Sequence, residues 1–145
     1  MATLAELQAQ MADVDPKVAI PAANTLANYY GIYNDEYNTL LMKKRDAETA
    51  LFDASHDTAG VDHAEVLHLQ GLILGIESRM KVQDGRMIAF QSSGLSIGAP
   101  DAVLVAQVRQ LCVQSSAIAA RGAGIEAIMV TLGKIARIVN QIQGF

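Results

Sequence analysis

The chain has 145 residues, enough for one domain with a buried core, and 51% of them are apolar while only 18% are charged. Three prolines argue against disorder, and 5% aromatics with no tryptophan leave Ala, Val, Ile, Leu and Met to build the interior, a composition for closely packed helices rather than an aromatic-lined ligand pocket. A net charge of −4 excludes nucleic acid as a main partner, because neutralising phosphates takes a basic surface.

The N-terminus, MATLAELQAQM, lacks the basic start and apolar stretch of a secretory leader. The expected location is the cytoplasm, or outside the cell by a route that needs no cleaved leader. Thr3 and Glu6 have capping-box spacing, and Leu4, Leu7 and Met11 follow at helical intervals, which predicts a short helix over 4–13. Asp15 and Pro16 read as a turn, and Pro21 as the first residue of a long helix over 21–56. Along it Leu26, Tyr30, Tyr33, Tyr37, Leu40, Lys44, Ala47 and Leu51 alternate in fours and threes, as in a coiled-coil seam. Its tyrosine hydroxyls need water or a partner. The basic run Lys43, Lys44 and Arg45 is followed at once by Asp46 and Glu48 and reads as a solvated face.

A turn at Asp57–Gly60 separates this helix from the next, predicted over 63–92 with Asp62 and Glu65 at its start. Val66, Leu69, Ile73, Ile76, Met80, Gln83, Met87 and Phe90 form its seam. The loop SSGLSIGAP then leads into a third helix, predicted over 100–143. There Leu104, Val108, Leu111, Ser115, Ile118, Gly122, Ile125, Met129, Leu132, Ala136 and Val139 keep the alternation, with Ile128, Ile135 and Ile142 beside them. The lone Cys112 excludes an intrachain disulfide and reads as a small buried hydrophobe. No segment reads as a strand. The expected fold is all-α, one domain over 1–145: an elongated antiparallel three-helix bundle with a short N-terminal helix and coiled-coil-like seams.

Folding the second and third long helices back on each other about their loop sets Gly71 opposite Arg121–Gly122 and Gly75 opposite Ala117. That predicts a close helix crossing through Gly71, Gly75 and Gly122. At 1.5 Å per residue a straight third helix outruns the second by roughly 20 Å. The excess carries Leu132, Ile135, Ile138, Val139, Ile142 and Phe145, an apolar patch that monomers rarely expose. The helix could break at Gly122–Gly124 or at Gly133 and fold back, the patch could meet another helix, or it could lie on a membrane beside Lys134 and Arg137. A membrane span is excluded, since Arg121, Glu126, Lys134 and Arg137 interrupt the segment. The seam outlasts its intrachain partners, which favours a partner helix from the same or another protein.

The histidines gather in DASHDTAGVDHAEVLH, where Asp53 and His56, and Glu65 and His68, stand three residues apart. Such pairs on facing helices can hold metal, so a divalent ion bound by Asp53, His56, Glu65 and His68 is the alternative reading, and capping and turn roles explain the same residues without one. No nucleophile elbow, phosphate loop or CxxC is present, and no cofactor is expected. The expected function is therefore non-enzymatic: a helical assembly or interaction protein, of the secreted or filament-subunit type, binding itself or a helical partner through its C-terminal stripe. Metal binding at the 53–68 turn and membrane-surface contact stand as the alternatives.

Overall fold

In the computed structural model, which describes residues 1–143, the chain is all-helical. It forms α1 (Leu4–Met11), α2 (Pro16–Ser55), α3 (His63–Ser92), α4 (Ala102–Ser116) and α5 (Ala123–Gln143). Among the described residues the one extended pairing is an isolated bridge between Ala2 and Ile97, which ties the N-terminus to the loop after α3.

Each start has a local cause. The Thr3 hydroxyl accepts from the Glu6 amide at α1, and Asp62 accepts from the amides of Ala64 and Glu65 at α3. Asp101 does the same for Val103 and Leu104 at α4; such caps satisfy amides that a helix leaves unpaired. The start of α2 corrects the sequence reading. Asp15 accepts from the Lys17 amide at 3.0 Å with Pro16 at the first helical position, so the helix opens there and Pro21 lies inside it. Ile20, which precedes Pro21, has no side chain that could cap.

The larger correction is the third long helix, which is two helices. α4 stops at Ser116 and the chain reverses through residues 117–122. Gly122 adopts a left-handed φ of +54°, where a Cβ is strained. A Cβ at Gly124 would fall on the carbonyl oxygen of Ala119, so the crossing of the chain over itself admits glycine alone. The predicted alternation passes through this turn because Ile118 and Ile125 both face the core, the first half-buried and the second buried. Periodicity therefore gives no sign of the break.

The helices run alternately up and down. α3 lies antiparallel to α2: Phe90 is fully buried against Tyr29, Tyr30 and Tyr33, with ring centroids 5.0, 5.8 and 5.4 Å away, while Lys44 meets Glu77 at 3.6 Å further along. α4 runs parallel to α2, from Arg109 beside Asp35 to Ile118 beside Lys43. α5 returns between α3 and α4. It runs parallel to α3, since the positions of Gly75 and Gly133 lie against Met129 and Arg79 respectively. In that register α5 begins level with about Leu69, so the α2–α3 turn projects beyond it, the reverse of the expected C-terminal overhang.

The interior holds Leu26, Ile32, Leu40, Leu69, Leu72, Ile76, Val108, Ile128, Leu132, Ile135 and Val139. Each such side chain taken from water stabilises by about 1.5–3 kcal/mol. The seams predicted on α2 and α3 are largely buried, but α2 uses a second face as well. Tyr29, Ile32, Glu36, Thr39 and Lys43 are buried on it; Lys43 reaches the α4–α5 turn, while Tyr29 and Glu36 meet Phe90 and Arg86 of α3.

Candidate functional site

The predicted C-terminal seam is occupied within the chain. Leu132, Ile135 and Val139 are 2%, 1% and 1% exposed, and Ile138 and Ile142 are half-buried against the same core. The turn at Gly122–Gly124 folds α5 back, so these residues supply interior rather than a free stripe. Phe145 lies outside the described residues. The apolar residues of α5 fall on one side, toward the bundle, and Lys134 and Arg137 are exposed on the other, so the described tail turns no wide apolar face toward a membrane. No described helix is long and apolar enough to cross one.

The predicted glycine crossing also dissolves. Gly122 belongs to the turn, and a Cβ at Gly71 would meet nothing within 4 Å. Gly75 does make a close approach, but to α5: a Cβ there would stand 2.8 Å from Met129 Cε. The arithmetic failed because it assumed a straight third helix beside α3.

At the α2–α3 turn each predicted ligand has a local environment of its own. His56 ends α2, its ring stacked on Phe52 at 4.2 Å and its Nδ1 2.8 Å from the Phe52 carbonyl. Glu65 stands in the first turn of α3, where a negative charge complements the helix dipole. Asp53 and His68 are exposed. Among the described residues no group of three or more His, Cys, Asp or Glu is placed to hold a metal ion.

A buried polar cluster escaped the sequence reading. Arg86 Nη1 donates to Glu36 Oε1 at 2.7 Å, both side chains being nearly enclosed. Burial pushes the Glu36 carboxyl above its ordinary value, and the Arg86 charge pulls against that shift. Gln83 donates to the Tyr33 carbonyl at 2.8 Å, and Gln143 to the Arg86 carbonyl at 3.1 Å. Lys43, read from sequence as part of a solvated run, is 1% exposed and donates to the Ile118 carbonyl at 2.8 Å and to Asp46 at 3.3 Å. A positive charge there complements the C-terminal end of α4. Beside the ion pair lies a cavity of about 120 Å³ between α2, α3 and α5, walled mainly by Leu40, Val82, Leu132, Ile135 and Ala136. Its polar rim is Glu36, Ser78, Arg79 and Arg86. The Arg86 bond engages one oxygen of the rim's single carboxylate, and Glu36 Oε2 is buried with no hydrogen-bond partner among the described residues.

The surface that stands out is the outward side of α3. Leu67, Leu74 and Ile88 are each 65% exposed. Between them Gly71, Ser78 and Gly85 leave the backbone open, and Lys81 is the single charge along the stripe. A helix apolar on one side buries that side; a helix apolar all round needs cover all round. α3 buries one side on α2 and α5 and leaves the other in solvent. The signal lay in the sequence as a second four-and-three series beside the core seam: 64, 67, 71, 74, 78, 81, 85, 88 and 92. Compared with family models, with curated proteins and with solved structures, the chain matches none.

Proposed function

We propose that this protein is a non-enzymatic assembly module that associates through the outward face of α3. The observation that supports this is the row of Leu67, Leu74 and Ile88, each 65% exposed on one side of a single helix. Such a row is a coiled-coil-like seam without an intrachain partner, and apolar strips of this length mark interaction sites on soluble proteins. The seam thus moves from α5, where periodicity alone set it, to α3.

Light scattering after size exclusion tests the reading on the full chain. The expected mass is above the 15.5 kDa of one chain. Leu74→Lys with Ile88→Lys returns it to the monomer value, whereas Val113→Lys leaves it unchanged. Val113 is the control because it is 70% exposed but stands on α4. A wild-type monomer at high concentration, or equal loss from the Val113 variant, removes the proposal.

A further inference from the structure

The outward face of α3 has an internal order that its own fold does not use. Ala64, Gly71, Ser78, Gly85 and Ser92 recur every seven residues, and Leu67, Leu74, Lys81 and Ile88 recur every seven beside them. A Cβ at Gly71 or Gly85 would meet nothing within 4 Å, in contrast to Gly75, which faces Met129. No intrachain neighbour therefore requires the two outer glycines, although glycine is the poorest helix former after proline. Smallness at those positions leaves room for something outside the chain.

Resting on the assembly reading above, we infer that the partner is a second copy of this chain, its α3 lying antiparallel across a two-fold axis. With the axis between Arg79 and Met80, Leu67 of one copy stands opposite Ser92 of the other, Gly71 opposite Ile88, Leu74 opposite Gly85 and Ser78 opposite Lys81. Every bulky side chain meets a small one, and the two-fold repeats each match, as an isologous contact requires. A parallel pair in register would instead stack leucine on leucine and leave paired gaps at Gly71 and Gly85, against the close packing that interfaces share with protein interiors. The one charge on the stripe also finds a place. Lys81 falls near the axis, opposite a serine that gives it room. A strip one helix wide along α3, about 45 Å long, offers roughly 500 Å² per copy, near the lower bound of about 1,000 Å² in total for a specific interface. The two-fold closes the contact, so assembly through this face ends at the dimer.

Distances between spin labels test the geometry, with labels at Asp84→Cys, Gln70→Cys or Gln91→Cys in a Cys112→Ala background; all three sites are exposed. The antiparallel pair separates equivalent labels along the helix axis by about 14, 29 and 35 Å respectively. Three similar distances overturn the inference and leave the assembly reading standing, as does an α3-dependent assembly larger than a dimer. A second variant, Gly71→Leu with Gly85→Leu, fills space that is open within one chain but closed in the pair. It should keep its helix content and weaken association more than tenfold. Association at wild-type strength overturns the inference. A chain that stays monomeric removes both the inference and the reading on which it rests.

Discussion

Glu36 and Arg86 form a buried ion pair whose two members stand fifty residues apart in the chain. Removing either would strand a charge in the interior, a loss of about 3–5 kcal/mol. The effect of pH follows from the carboxyl. Because burial holds its native value above the ordinary one, the folded chain keeps a proton that the unfolded chain has already released. This group's contribution to stability therefore falls as pH climbs from the ordinary glutamate range toward the raised native value, and levels off beyond it. Urea midpoints measured across that range should decline in the wild type. In Glu36→Gln, where the amide oxygen can still accept from Arg86, the decline assigned to this site should vanish; an unchanged slope would show that another group carries it. None of this was legible from the residues. Glu36, Thr39 and Lys43 interrupt a column that apolar periodicity would otherwise have marked, so the second buried face of α2 looked like solvent surface.

Among the elements, α3 was legible because its caps and its core seam agree; the structure begins and ends it at His63 and Ser92. The third long helix was not, for a physical reason: the four-and-three alternation of core positions runs on through the turn. What marks the break is Gly122 at positive φ and the contact of Gly124 with the Ala119 carbonyl. These make opposite predictions from the glycines of α3. Gly124→Ala must move the backbone of the turn and should lower stability by about 2–4 kcal/mol, in the range of severe single substitutions. Gly85→Ala meets open space and should raise the stability of the single chain by up to about 1 kcal/mol, through helix propensity alone. Thermal melts at low concentration compare the two; a harmless Gly124→Ala would show that the turn can re-form around a side chain.

Across the whole molecule, the helices divide into two hairpins that are near neighbours in sequence, α2 with α3 and α4 with α5. Among the described residues the polar ties between the hairpins are few and distant: Lys43 to the Ile118 carbonyl, Gln143 to the Arg86 carbonyl, Arg109 to the Asp35 carboxylate, and the Cys112 thiol toward the Asp35 carbonyl at 3.7 Å. Closing long loops is slow relative to forming helical hairpins, so these ties are expected to form as two preformed halves dock. The seat that Lys43 provides for the α4–α5 turn is then a latch, set after the barrier to folding has been crossed. Lys43→Met keeps the stem and removes the donor, and should cost about 1–3 kcal/mol. Stopped-flow measurements should find that cost in faster unfolding, with the refolding limb nearly unmoved. Equal changes in both limbs would place the latch inside the nucleus. On this view one buried ammonium, hidden by the sequence in a run of three basic residues, sets part of how long the chain persists in the folded state.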